Sequence, residues 1–259
     1  MSSEELSIIN EKISEEAGCL LPFNELREFV DNGSKRIRSK LAIYYTKALG
    51  KNINTDIYNL LTSVELIHNA SLLHDDVIDD SDKRRNLTTI AKKYSSKVSI
   101  LCGDYLVSKA VDLIDKINNR TISGIINKCI RNMTISEINQ YFLRGNLPKK
   151  EQYLEICYGK TAGLFAAALE CSAILAGLDS NIARRFGEKF GICFQINNDL
   201  EESSAKEDMK NKIYTATDIL GIENTYILSD NYKEEMRMLI NNIPENIYKN
   251  KLEELIKGL

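Results

Sequence analysis

"IYNLLTSVELIHNASLLHDDV", residues 57–77, decides the fold class. Leu60, Val64, Ile67 and Ser71 recur at the interval of one helical face, and Leu61, Leu72 and Leu73 fall close beside them. The run predicts a long helix, buried along most of its length. It ends in acid: "SLLHDDVIDDSDKRRN", residues 71–86, carries five aspartates and three basic residues.

The same period returns on both sides of this helix. "SILCGDYLVSKAVDLIDKI", "SGIINKCIRNMTISEINQYF" and "NIARRFGEKFGICFQINNDLEE" repeat it, separated by "DNGSKR" at 31–36, "RGNLPKK" at 144–150 and "LAGLDS" at 175–180. No strand-period run competes, and there is no internal repeat. Three prolines and no tryptophan in 259 residues fit long uninterrupted helices. With 43% apolar residues the chain can build one large core. The expectation is all-α, a single domain over residues 1–259 with roughly ten helices.

Composition excludes several classes. A net charge of −3 does not suit a protein that grips nucleic acid by bulk charge. Cysteines at 19, 102, 129, 157, 171 and 193 form no CxxC pair and read as thiols of a reduced compartment. The start, "MSSEELSIINEKISEE", is acidic and amphipathic, unlike a secretory signal. The longest apolar stretch, Leu164 to Leu178, is interrupted by Glu170 and is too short for a transmembrane segment. A soluble, cytoplasmic protein is expected.

On a helix, Asp75 and Asp79 stack on one face with Asp76 beside them. A solvated acidic helix end is the plain reading of such a cluster alone. The apolar residues leading into it, Leu72 and Leu73, draw it toward the core, where like charges need a cation and hard oxygen ligands suit Mg²⁺. "FQINNDLEE" repeats the spacing with Asn198, Asp199 and Glu202, again after an apolar helix, "FGEKFGICF". Mg²⁺ keeps waters and bridges to phosphates, which gives the basic residues a purpose: Arg84 and Arg85, Lys212, Lys35, Arg36 and Arg38 in "GSKRIRS", and Lys160 in "YGKTAGLF". Acid clusters with these cations describe a diphosphate site.

"LLHDDVIDDSDKRRN", "GSKRIRS", "CGDYL", "KTAGLF" and "FQINNDLEE" together resemble the trans-prenyl diphosphate synthases, in that family's order and spacing, over about residues 31–215. The resemblance implies the isoprenoid synthase fold, a helical bundle around a central cavity. It also implies a homodimer, with a heteromer as the variant, and Mg²⁺-dependent elongation of an allylic diphosphate by isopentenyl diphosphate. On matching positions, Asp75 and Asp79, with Asp76 supporting, would hold Mg²⁺ on the allylic diphosphate, and Asn198, Asp199 and Glu202 would form the second metal-binding motif. Lys35, Arg38, His68 and Arg85 would hold isopentenyl diphosphate. Arg84, Lys160 and Lys212 would grip the leaving diphosphate, with Thr161 and Gln195 along the path of the cation. Glu137 and Gln140 match a polar pair that faces the cavity in relatives.

The chain departs from the pattern in places. Ser34 follows Gly33 where a glycine pair is usual, Ser39 stands where relatives carry proline, and Asn86 replaces a glycine. At the second motif Asn198 brings an oxygen but no charge, and Glu202 is one methylene longer than aspartate. These changes keep two alternatives open, a non-catalytic or regulatory subunit and a class I terpene cyclase, although Lys35, Arg38 and His68 have no purpose in a cyclase. Ala70 and Ser71 lie about one turn before Asp75. In relatives with short products a bulky aromatic there forms a floor, so small residues imply an open path toward Ile67 and Val64 and a long product.

Overall fold

Helices carry almost all of the described structure. The computed structural model describes residues 2–18, 24–31, 35–85, 87–201 and 211–259. The chain divides into two packed units, residues 1–43 with 53–123 and residues 44–52 with 124–259. The divide falls inside two helices, α3 (Ile37–Ala48) and α7 (Arg120–Leu143).

The first unit holds α1 (Ser2–Ala17), α2 (Asn24–Asp31), the start of α3, α4 (Thr55–Ile78), a short α5 (Ile90–Lys93) and α6 (Ser96–Ile117). Helix α4 is the one expected from the periodicity. Asn54 caps it, its side chain accepting the Ile57 N–H at 2.9 Å, as an N-cap residue does. Leu60, Leu61, Val64, Leu66, Ile67, Ala70 and Leu73 are buried. Helix α6 lies against α4 at small residues. Ser63 donates to the Ala110 carbonyl at 3.0 Å, Ser99 donates to the Leu73 carbonyl at 2.8 Å, and a Cβ at Gly103 would collide with the His74 ring. The glycine of "CGDYL" thus admits the side chain that precedes the first aspartate. One element has no signature in the sequence: β1 (Lys83–Arg84) and β2 (Leu87–Thr88) pair antiparallel, with Arg84 opposite Leu87.

In the second unit a continuous helix runs from Lys150 to Ala176: α8 (Lys150–Cys157), a π-helical turn (Tyr158–Ala162) and α9 (Gly163–Ala176). Beside it are α10 (Ser180–Leu200), α11 (Ala216–Leu220), α12 (Ile222–Ile240) and α13 (Ile247–Lys257). The π turn is visible in the Gly163 N–H, which reaches back five residues to the Tyr158 carbonyl. The glycines of "FGEKFGICF" are close-approach positions. A Cβ at Gly187 would lie 2.7 Å from the Phe165 carbonyl oxygen, and one at Gly191 would collide with Ala162. Joined across the π turn, Lys150–Ala176 is long and apolar enough to cross a membrane by length and composition, which the apolar stretch alone did not suggest. Its apolar window is 67% buried inside the protein, as in a core helix.

Candidate active site

The acidic end of α4 is held by charge. Asp76 is 1% exposed and accepts from the Arg84 Nε at 2.8 Å, so the hairpin brings an arginine back onto the helix that precedes it. Asp75 and Asp79 are half-buried, and the helix closes with the Asp79 N–H on the Asp75 carbonyl. Arg84, expected to grip a diphosphate, thus has Asp76 as a partner already.

Arginines converge on the middle of α4. Burial pushes the His68 imidazole well below its usual pKa, and the charges of Arg38, Arg85, Arg36 and Arg84 push it the same way. Both effects favour the neutral imidazole. Burial and its neighbours Arg36 and Arg84 also lower the Arg85 pKa. Arg36 itself is a buried strut: it donates to the Asn10 side chain at 2.9 Å and to the Val30 carbonyl at 2.6 Å, and lies 3.6 Å from Glu65. Lys35 is exposed and Arg38 half-buried. Arg36, Asp80 and Arg85 have φ of 48°, 48° and 52°, the left-handed region that side chains of this kind seldom adopt. Strain of that sort collects where structure serves a site.

Of the positions expected to set product length, Val64, Ile67 and Ala70 are buried in this unit, and Ser71 is half-buried with its hydroxyl donating to the His68 carbonyl.

In the second unit the π turn presents Lys160 to α7, where it pairs with Glu137 at 2.5 Å and donates to Gln140. The turn can sit there because residue 159 is glycine, since a Cβ would collide with the Ser136 hydroxyl. Thr161 Oγ1 donates to Gln195 Oε1 at 3.0 Å, and Gln195 Nε2 donates to Asp199 Oδ1 at 2.8 Å. Asp199 Oδ2 accepts from the Tyr153 hydroxyl and the Ala216 N–H, each at 2.8 Å. Asp199 is 4% exposed; burial raises its pKa, against the pull of its three donors. Asn198 is half-buried. Lys212 is exposed at φ 56°, and its carbonyl accepts the Gly145 N–H at 2.8 Å. Glu202 lies outside the described residues.

The first unit holds Lys35, Arg38, His68, Arg84, Arg85, Asp75, Asp76 and Asp79, and the second holds Lys160, Thr161, Gln195, Asn198, Asp199 and Lys212. Sequence reasoning missed Asn10 and Glu65 as partners of Arg36, Ser136 as the neighbour of Gly159, and Tyr153 as the partner of Asp199. Only Glu65 left a trace, as a carboxylate in an otherwise apolar run. Among the described residues no group of three or more His, Cys, Asp or Glu side chains is placed to hold a metal ion. The pair Asp75 and Asp79 fits instead a cation that takes one or two carboxylates and completes its shell with water and phosphate oxygens, the habit of Mg²⁺.

A helical protein with such carboxylates and converging arginines has the chemistry of a site for metal-bridged phosphate. A family model described as polyprenyl synthetase matches residues 23–258, and the chain belongs to that family. It is 33% identical over 197 residues to the decaprenyl-diphosphate synthase of Dictyostelium discoideum, covering 75% of this chain and 43% of that protein. It is 29% identical over 219 residues to the octaprenyl diphosphate synthase of Escherichia coli, covering 82% and 67%. The chain thus spans less than half the length of the first relative and about two thirds of the second. The crystal structure of heptaprenyl diphosphate synthase from Staphylococcus aureus matches with a TM-score of 0.91 at 23% identity, covering all of this chain and 97% of that one. The fold is the all-α isoprenoid synthase fold.

Proposed function

We propose that this chain is a Mg²⁺-dependent prenyltransferase that condenses isopentenyl diphosphate with an allylic diphosphate to build a long trans-polyprenyl diphosphate. The observation that carries this is the acidic end of α4, where the Arg84 Nε donates to buried Asp76 at 2.8 Å and Asp75 and Asp79 lie half-buried on the helix that carries His68. Arg38 and Arg85, whose charges act on His68, suit a polyanion, and guanidinium groups match phosphate oxygens two at a time. The continuous family match supports one working domain over the chain.

In this reading Asp75 and Asp79 hold the metal, and Asn198 offers a neutral oxygen to a further ion. Bound Mg²⁺ supplies neutralisation of the diphosphate charge that grows as the allylic C–O bond breaks. Lys35, Arg38 and Arg85 bind the diphosphate of isopentenyl diphosphate, and neutral His68 hydrogen-bonds it without adding charge. Arg84, Lys160 and Lys212 stabilise the leaving diphosphate, which departs with the bonding electron pair. The isopentenyl double bond attacks the allylic cation, and loss of a proton restores an alkene. Apolar walls keep water from quenching the cation to an alcohol.

Family habit supports a homodimer. The uncharged Asn198 favours, as the second reading, a subunit that needs a partner chain. The test is incorporation of labelled isopentenyl diphosphate by the purified protein, with Mg²⁺ and a panel of allylic primers. The proposal expects incorporation that requires both primer and metal. Incorporation only after a second subunit is added would select the other reading.

A further inference from the structure

The sequence reads Asp199 as a metal ligand, but its surroundings fit another task. Both of its oxygens are engaged: Oδ2 accepts from Tyr153 and the Ala216 N–H, and Oδ1 accepts from Gln195 Nε2. It is also among the most buried charged residues of its unit. An ionised carboxylate only accepts hydrogen bonds, so the end of the Gln195 amide that faces it must be the NH₂. The amide oxygen then points the other way, where the Thr161 hydroxyl donates to it. Without Asp199 nothing in this chain of contacts distinguishes the two ends of the amide, since a threonine hydroxyl serves either as donor or as acceptor.

We infer that Asp199 is a positioning residue: it fixes the direction of the Gln195 amide so that the oxygen, not the NH₂, lies on the Thr161 side, and it does not ligate metal. The inference rests on the proposed function, in which Thr161 and Gln195 line the path of an allylic cation. A carbonyl oxygen stabilises a passing positive charge, and a reversed amide would present N–H groups of the wrong sign. Tyr153 and the Ala216 N–H hold the carboxylate in place. Ala216 stands four residues after Lys212, so the same carboxylate anchors the segment that carries this cation.

Asp199→Asn tests this directly. The one oxygen of the new side chain would stay with Tyr153 and Ala216, turning its NH₂ toward Gln195 and forcing the Gln195 amide to reverse. Adding Gln195→Glu would restore the pattern, because a carboxylate at position 195 accepts from the new amide at position 199 with one oxygen and presents the other to Thr161. The chain has three glutamines, Gln140, Gln152 and Gln195, so ¹⁵N-glutamine labelling yields three side-chain amide signals, with Gln195 identified by its loss in Gln195→Glu. The inference expects the Gln195 protons to be shifted and protected from exchange in the wild type, and to lose both properties in Asp199→Asn. It expects kcat to fall ~10²-fold, with KM for both diphosphates and half-saturating Mg²⁺ unchanged, and the double variant to recover most of the loss. Tyr153→Phe leaves the acceptor in place, so it should lower stability but keep the Gln195 signal and most of kcat. An unchanged Gln195 signal in Asp199→Asn, a raised Mg²⁺ requirement, no rescue in the double variant, or a loss of kcat in Tyr153→Phe equal to that in Asp199→Asn would each overturn it. A wild type without turnover would sink the proposed function alone, because the amide signals report the orientation without substrate.

Discussion

Ser39 supplies Glu65 with two hydrogen bonds, from its hydroxyl at 2.7 Å and from its backbone N–H at 3.3 Å. The N–H belongs to the first turn of α3, where no intrahelical acceptor exists, and the buried carboxylate that takes it also faces Arg36. Serine here, in place of the proline of relatives, is thus part of a buried polar network. Ser39→Pro would fit the first turn sterically but remove both donors. It should lower stability to urea by ~2–3 kcal/mol, and an unchanged midpoint would show that Glu65 finds other partners.

His68 gives the protein an acid-sensitive component. Its folded pKa lies below the usual 6.5 while the unfolded chain regains that value, so between the two the unfolded state binds more protons. Stability from this group is complete above pH 6.5 and is lost as pH falls toward the folded pKa, with a slope of up to ~1.4 kcal/mol per pH unit. The difference between wild type and His68→Gln, measured by urea unfolding from about pH 7.5 to 5, should show that slope. A flat difference would place His68 in water.

If Asp75 and Asp79 hold the metal as proposed, Asp75→Ala and Asp79→Ala should each cut prenyl transfer by ~10³-fold at saturating Mg²⁺ with the helical circular dichroism unchanged, because each would remove a ligand opposite the developing charge. Near-normal turnover in either variant would mean that the metal is held elsewhere.

Helix α4 was legible because its apolar period is unbroken over about six turns and closes on charged residues. The glycines 187 and 191 stood in the sequence without a stated role, because the Phe165 and Ala162 backbones they meet are more than 20 residues away. Of the site, the structure adds one contact at the first acidic cluster, the Arg84–Asp76 pair, and the other roles read from charge remain proposals. What stayed hidden depends on contacts distant in sequence. Tyr153 lies 46 residues from the carboxylate it holds, and Ser39 lies 26 from Glu65. The same holds for the hairpin at Lys83–Thr88, too short to show a strand period, and for the π turn, whose residues read as ordinary helix.

Ala70 bears on product length. It is 1% exposed on the buried face of α4, above Ile67 and Val64. Ala70→Phe should shorten the product to about three or four isoprene units, since each helical turn of ~5.4 Å spans close to one unit, and chromatography of the products reads this. If the ring only overpacks a closed core, stability should drop by ~1–3 kcal/mol with the product unchanged.

Elongation of an allylic diphosphate by this chain can be read in a single assay. Purified wild type is given farnesyl diphosphate, isopentenyl diphosphate and Mg²⁺, and the products are identified by mass spectrometry. The expected result is a ladder of diphosphates extending beyond geranylgeranyl diphosphate to six or more units, abolished by EDTA. Farnesyl diphosphate recovered unextended, with the protein folded and Mg²⁺ in excess, would contradict the proposed elongation.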